Sequence, residues 1–188
     1  QSPEPLAAPP LPHPPTVAAP WDILQREVDE ALTRQLHSRA KRAAVTVNDL
    51  LLRDMLLTAA AWNDRWNGPS PRQWLRILMP ANLRSPHDKH MPAANGVTMS
   101  FLSRRRNQCQ DPEQLLLNIR DETNLVKRTR RGLRFIRVLE TAQRLCGGMP
   151  KSLVGEHCFA TVVLSNLGDI RQRLAPAPVN PSGRIEAG

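Results

Sequence analysis

The stretch Thr161-Val162-Val163-Leu164-Ser165-Asn166-Leu167-Gly168-Asp169 decides the fold class of this chain. An apolar run rich in β-branched residues passes here directly into a polar turn that contains glycine. This pattern predicts a buried strand over residues 158–164 that delivers Ser165 and Asn166 to its carboxyl end. Ligands commonly bind at that end in open α/β sheets. The stretch therefore predicts a sheet and a place for a functional site.

Two earlier segments also predict strands. Residues 74–80 form a short apolar run that is closed by Pro80. Residues 97–102 follow the turn signal Asn95-Gly96 and form the second short run. With the helices described next, these strands predict an α/β fold: a mixed β-sheet with packed helices.

Helical periodicity predicts three main helices. The first covers residues 21–44, where apolar side chains recur near one face. The second begins after Val45, where Thr46 and Asp49 have the spacing of a capping box. The third opens at Asp111-Pro112, with proline in the first helical position. Asn48 and Asp49 are interpreted as helix-start residues and not as catalytic groups.

The two ends of the chain differ from its middle. Residues 1–20 are dominated by proline and alanine and predict an extended linker. Residues 21–170 predict one globular lobe, and residues 171–188 predict a loop-like, truncated end. Because residue 1 is Gln, we expect a processed chain or a piece of a longer protein.

Composition narrows the class of protein. Hydrophobic residues make up 40% and allow a core, whereas aromatic residues at 4%, without Tyr, disfavour stacking platforms for single-stranded nucleic acid. No segment approaches the roughly 20 apolar residues of a membrane span, and no secretory signal is visible. The three cysteines lack Cys-x-x-Cys spacing, which predicts reduced thiols in a cytoplasmic protein.

The formal net charge of +9 predicts an anionic partner: a nucleic acid, an acidic protein or a phosphorylated cofactor. The basic residues cluster at Arg104-Arg105-Arg106 and over residues 127–137, where Arg130, Arg134 and Arg137 share one helical face. A solvated surface is the first interpretation, and docking of an acidic partner or a cofactor phosphate is the second. Nucleic acid comes third, because no nucleic-acid-binding motif accompanies the patches.

Two further patterns could carry chemistry. His87 and His90 have a spacing that could bind a metal on a helix, but flanking prolines favour a loop, so no metal site is predicted. Ser165 is not surrounded by Gly-x-Ser-x-Gly, which favours a turn residue over a nucleophile.

Four segments, in order, resemble the C-terminal half of the CoA-dependent acyltransferase superfamily. This group includes chloramphenicol acetyltransferase, the condensation domains of nonribosomal peptide synthetases, and wax ester synthases. Residues 45–52 resemble its "TVND" helix start, and residues 77–84 resemble its "PvNlR" strand end. Residues 95–98 resemble the start of a following strand with Asn and Gly exchanged, and residues 161–169 resemble the late "SNlG" strand end.

The resemblance implies one lobe of a two-lobe chloramphenicol acetyltransferase-like fold, with the active site in a tunnel between the lobes. It implies transfer of an acyl group from a CoA or carrier-protein thioester to a hydroxyl or amine. The family's general base is the second His of His-His-x-x-x-Asp-Gly. None of the five histidines here has a histidine neighbour. The resemblance therefore implies an internal fragment that contains no catalytic residue and pairs with a missing N-terminal lobe.

The resemblance also suggests site residues. Ser165, Asn166 and Asn95 are candidates for the substrate tunnel. Arg84, together with the basic-helix residues Arg130 and Arg134, is a candidate contact for a CoA phosphate or an acyl carrier protein. An acyl-CoA or acyl-carrier thioester would be the co-substrate, with no cofactor bound covalently. The alternatives are a non-catalytic protein-interaction lobe and, less favoured, a basic nucleic-acid-binding protein.

Overall fold

A computed structural model describes residues 3–7, 25–68, 70, 72–82, 97–129, 141, 144, 158–166 and 168 of the chain. In this part, three helices accompany a three-stranded sheet, which confirms the predicted general α/β class with a mixed sheet. In chain order the elements are α1 (Glu30–Arg42), α2 (Val47–Asn67), β1 (Trp74–Asn82), β2 (Val97–Arg105), a 3₁₀ helix (Arg106–Cys109), α3 (Pro112–Thr129) and β3 (Val162–Val163). None of the described helices has the length and apolar character needed to cross a membrane.

The sheet has the strand order β2-β1-β3. Strands β1 and β2 are antiparallel, and their register places Trp74 opposite Arg105 and Asn82 opposite Val97. Strands β1 and β3 are parallel, with Leu78 beside Val163. A parallel pair requires a crossover connection, so this pairing joins segments that are far apart in sequence.

The last strand is shorter than the sequence predicts. The expected strand over residues 158–164 is wrong in length, because only Val162–Val163 has strand pairing. The Thr161 hydroxyl accepts the hydrogen bond from the Arg76 backbone N–H at 3.1 Å, where a strand carbonyl would otherwise accept it. The Thr161 N–H donates to the Arg76 carbonyl at 2.8 Å, and the Leu164 N–H donates to Leu78 at 2.9 Å. A side chain therefore begins this ladder.

The first helix begins later than its periodicity predicts. The described residues before it, 25–29, are not helical, so the expected start at residue 21 is wrong for that stretch. Asp29 caps the helix, since its Oδ1 accepts the Leu32 backbone N–H at 2.7 Å. Only Ala40 of α1 is buried, because the helix packs mainly through its last turn.

The predicted starts of α2 and α3 are confirmed. Thr46 and Asp49 form the capping box of α2, with each side chain accepting the other residue's backbone N–H. Asp111 Oδ1 accepts the backbone N–H groups of Glu113 and Gln114 at 3.0 Å and so caps α3. Gly68 follows α2 with a φ of +78°, a conformation that side chains other than glycine rarely adopt.

The core lies between α2, α3 and one face of the sheet. Alternate residues of the strands face the helices, since one side of a strand repeats every second residue. The fully buried members are aliphatic: Leu52, Leu56, Leu75, Ile77, Leu102, Leu115 and Ile119. On the opposite face Leu78 and Phe101 lie side by side in the register, and Phe101 contacts the Phe159 ring edge-to-face at 4.9 Å.

Candidate functional site

The candidate site lies at the carboxyl ends of β1 and β3. Parallel strands end at the same edge of a sheet, so Ser165 and Asn166 lie near the end of β1. The antiparallel partner β2 begins at this edge, where Val97 lies opposite Asn82. Three segments that are distant in sequence therefore meet at one edge of the sheet. This is the edge at which the sequence predicts a functional site.

Helix α2 begins at the same end of the molecule. Asp64, near the end of α2, forms an ion pair with Arg106, which directly follows β2. The end of α2 therefore lies at the amino end of β1, and its start lies toward the carboxyl ends of β1 and β3.

Ser165 and Asn166 are both exposed. The Asn166 Oδ1 accepts the Gly168 backbone N–H at 2.9 Å, and Gly168 has a φ of +67°. This is an Asx turn, in which a side chain stabilises the loop that follows it. The Asn166 side chain therefore shapes the turn, while the Ser165 hydroxyl is accessible and could hydrogen-bond a ligand.

The other predicted contacts lie outside the described residues. These are Asn95, Arg84, Arg130 and Arg134 of the candidate site, together with His87 and His90. Their roles stay predictions from the sequence.

Asp49 is a buried carboxylate with a structural role. Its Oδ2 accepts the Thr46 backbone N–H at 2.8 Å and the Thr46 hydroxyl at 2.7 Å. Its Oδ1 accepts the Thr123 hydroxyl of α3 at 2.8 Å. Both oxygens are engaged, so Asp49 ties the start of α2 to α3. The interpretation of Asp49 as a helix-start residue is confirmed.

The first basic cluster is part of the fold. Arg104 forms an ion pair of 2.8 Å with Glu122 of α3, and the guanidinium of Arg105 lies 5.1 Å from the Trp74 ring centroid. Arg106 binds Asp64 through two nitrogens, and this hydrogen bonding raises the pKa of the Arg106 guanidinium. The predicted solvated surface is therefore wrong for Arg104, and half-buried Arg106 is paired within the chain.

Arg53 is a buried cation for which the sequence predicts no role. It lies on the core-facing side of α2, one residue after Leu52, and is 5% exposed. Its guanidinium donates to the Asp54 carboxylate at 2.8 Å. Buried arginines are unusual unless they are paired. The signal in the sequence is a single arginine among Leu52 and Leu56, and periodicity alone could not show whether it points inward.

Cys109 and Cys158 provide a direct check of burial. Burial raises the pKa of the Cys109 thiol, which lowers its reactive thiolate fraction at any given pH. Cys158 is only half-buried. We expect iodoacetamide at pH 8 to alkylate Cys109 more slowly than Cys158 in the native chain, by about tenfold or more, as mass spectrometry of each site can measure. If Cys109 were alkylated at the same rate before and after denaturation, the burial of its side chain would be contradicted.

No family model matches this chain, and a search of curated proteins finds no match. The resemblance in four segments therefore stays a prediction.

Proposed function

We propose that this chain is one lobe of a two-lobe acyltransferase, which moves an acyl group from a CoA or carrier-protein thioester to a hydroxyl or amine. The candidate site at the strand ends forms one wall of the substrate tunnel. A second lobe, bearing the His-His-x-x-x-Asp-Gly motif, supplies the opposite wall and the general base.

The observation that carries the proposal is the convergence of the four resembling segments. In sequence they are spread over residues 45–169. The described parts of three of them lie at one edge of the sheet, and the helix start of the fourth lies toward the same end of the molecule. The antiparallel pairing of β1 and β2 accounts for two of these positions, whereas the ends of β3 and α2 are brought there by the packing of distant segments. Convergence at a strand edge is what a ligand site requires.

A second observation supports a further structural unit. On the sheet face that points away from α2 and α3, Val97, Met99 and Val163 are exposed, and Val163 reaches 58%. Val97 and Met99 lie toward the end of the sheet that carries Ser165 and Asn166. Clustered exposed apolar side chains are a feature of interaction surfaces. A second lobe that packs on this face would bury them and close a tunnel over the strand ends.

The roles of individual residues follow from chemistry. The acceptor hydroxyl or amine must lose a proton as it attacks the thioester carbonyl, and a histidine near its ordinary pKa suits that task. The Ser165 hydroxyl would hydrogen-bond substrate in the tunnel, and Asn166 would hold the turn. Arg84, Arg130 and Arg134 remain candidate contacts for a CoA phosphate or an acyl carrier protein, and Asn95 remains a candidate for the tunnel wall.

The proposal predicts how activity divides between the lobes. The purified chain, incubated with a panel of acyl-CoA thioesters and hydroxyl or amine acceptors, should form no acylated product by mass spectrometry. Joined to a lobe with His-His-x-x-x-Asp-Gly from its own coding sequence, it should turn over. Replacing the second His of that motif by Ala should lower the rate by about 10²–10⁴-fold, the usual contribution of a general base.

Matched variants locate the site within this lobe. Ser165→Ala should change kcat or KM in the joined protein, whereas Thr58→Ala, at an exposed position of α2, should not. Turnover by the isolated chain would overturn the assignment of the base to another lobe. An upstream coding sequence without the motif would favour the second candidate function.

That second candidate is a non-catalytic interaction lobe of the same fold. The exposed face with Val97, Met99 and Val163 favours it, since such a face can dock another protein whether or not chemistry follows. Recovery of a carrier protein or another chain with the purified protein would support it. A nucleic-acid function is disfavoured because Glu122 and Asp64 already pair with Arg104 and Arg106.

A further inference from the structure

The segment Pro3–Ala7 is bound to the folded core as an extended peptide. The Glu4 backbone N–H donates to the Trp74 carbonyl at 2.9 Å. The Ala7 N–H donates to Asn63 Oδ1 at 2.9 Å, and Asn63 Nδ2 donates to the Pro5 carbonyl at 3.1 Å. Asn63 therefore binds one edge of the segment with both the oxygen and the nitrogen of its side-chain amide, as a neighbouring strand would. The interpretation of residues 1–20 as a linker did not include this attachment.

Two other side chains complete the recognition of the backbone. Trp62 Nε1 donates to the Ala7 carbonyl at 2.8 Å, and the Thr161 hydroxyl donates to the Glu4 carbonyl at 2.6 Å. These contacts come from α2 and from the residue before β3, two elements far apart in sequence. A tryptophan and an asparagine that bind the backbone of a proline-containing segment are typical of a groove for extended peptides.

The groove also distinguishes side chains. Gln73 Nε2 donates to the Glu4 carboxylate at 2.7 Å, and Gln73 is buried. Pro3 and Ala7 are buried, whereas Leu6 is exposed. The groove therefore contacts the side chains of three positions. These are a proline, the acidic residue after it, and a small residue three positions further on. The position of Leu6 is free to vary.

The segment leaves one polar atom of the groove unsatisfied. Gln73 Oε1 is buried and has no hydrogen-bond donor among the residues that the structure describes. A buried acceptor without a donor is energetically costly. An occupant that supplies a donor to this oxygen would therefore bind the groove more tightly than Pro3–Ala7 does.

We propose that Trp62, Asn63, Gln73 and Thr161 form a binding groove for an extended peptide of the type Pro-Glu-x-x-Ala on a second polypeptide. In this chain Pro3–Ala7 fills the groove in cis. The segment buries few apolar side chains, so its occupancy depends on its being part of the same chain, which acts as an effective concentration. A partner segment that also satisfies Gln73 can displace it.

Loss of the occupant would weaken the start of β3. The Thr161 hydroxyl donates to the Glu4 carbonyl and accepts from the Arg76 N–H, so it joins the bound segment to the ladder of β3. Strand β3 itself has only two paired residues. Loss of the occupant removes one of the hydrogen bonds that orient Thr161, and hydrogen exchange at Leu164 should then accelerate.

The test converts the cis segment into an exchangeable ligand. A protease site inserted within residues 8–20 allows the purified chain to be cut after folding, which leaves residues 1–7 attached only by the groove. Fluorescein-labelled Ser-Pro-Glu-Pro-Leu-Ala-Ala is then titrated and followed by anisotropy. We expect saturable binding to the cut chain and at least tenfold weaker binding to the uncut chain, because the tethered segment competes.

Variants and a control peptide define specificity. Asn63→Leu in the cut chain should weaken the labelled peptide by at least tenfold, since two hydrogen bonds are lost. A peptide with Glu4→Lys should bind several-fold more weakly, whereas one with Leu6→Ser should bind unchanged. Failure of the labelled peptide to bind a cut chain with native circular dichroism would overturn the proposal, and so would equal binding by Asn63→Leu.

A second measurement does not depend on the cut chain remaining folded. The intact, ¹⁵N-labelled chain is titrated with the unlabelled peptide to several millimolar, and the backbone N–H resonance of Ala7 in the chain is followed. The proposal expects this resonance to move toward its position in the free peptide, because the added peptide takes over the hydrogen bond to Asn63. No change at Ala7 while the peptide reaches concentrations above the effective concentration of the cis segment would also overturn it.

Discussion

Replacement of Asp49 by Ala is expected to lower the free energy of unfolding by about 3 kcal/mol, because it removes a helix cap and leaves buried donors unpaired. Asp49 is 1% exposed, and its carboxylate accepts hydrogen bonds from Thr46 and from Thr123 of α3. Helix α2 would lose its N-terminal cap and its polar link to α3 in one step. Urea unfolding followed by circular dichroism at 222 nm measures this loss.

Two comparisons separate the cap from the link to α3. Thr123→Val leaves the capping box in place but removes the hydrogen bond to Asp49, together with the local contact of the hydroxyl with the Arg120 carbonyl, and should cost about 1 kcal/mol. Glu30→Ala removes a carboxylate whose ion pair with Arg34 is solvent-exposed, and it should cost less than about 0.5 kcal/mol. If Asp49→Ala were as mild as Glu30→Ala, the capping box would not hold α2 in place.

Replacement of Leu56 by Ala is expected to cost about 2–5 kcal/mol, the range for deleting a buried leucine side chain. Leu56 is 0% exposed and belongs to the cluster in which α2 and α3 meet the sheet. The cavity would lie beneath β1, the central strand that carries both β2 and β3. Because whole domains are stable by only about 5–15 kcal/mol, this one change could leave the chain largely unfolded.

Leu117→Ala is the matched control for this prediction. Leu117 lies on α3 at a position that is 39% exposed, so the same truncation removes less buried surface. We expect a cost below about 1 kcal/mol, in proportion to the apolar area withdrawn from water. Similar losses for the two variants in urea unfolding would contradict the position of the core.

The candidate site was only partly predictable. The polar strand end with Ser165 and Asn166 follows from a local pattern, an apolar run that enters a turn. The Asx turn was not predicted specifically, although Asn followed two residues later by Gly is compatible with it. The inward direction of Arg53 and the ionic partners of Arg104 and Arg106 depend on which helices cover the sheet, and no local pattern contains that information.

The sequence by itself determined the elements whose causes are local. The Thr46–Asp49 box starts α2, Asp111-Pro112 starts α3, and short apolar runs predict β1 and β2. These features involve neighbours within a few residues, so propensity and capping chemistry suffice to fix them. The predicted strand ends are wrong, because β1 continues through Pro80 to Asn82 and β2 continues to Arg105.

Only the tertiary structure decided the pairings between distant segments. In the tertiary structure β3 pairs parallel to β1 and begins only after Thr161. The segment Pro3–Ala7 is bound by Asn63. The physical reason is that nearly every residue carries the same backbone donor and acceptor. The sequence of one segment therefore does not specify which other segment it pairs with. The stretch at residues 161–169 thus specified a strand and a turn, whereas its neighbours were chosen by the packing of the whole chain.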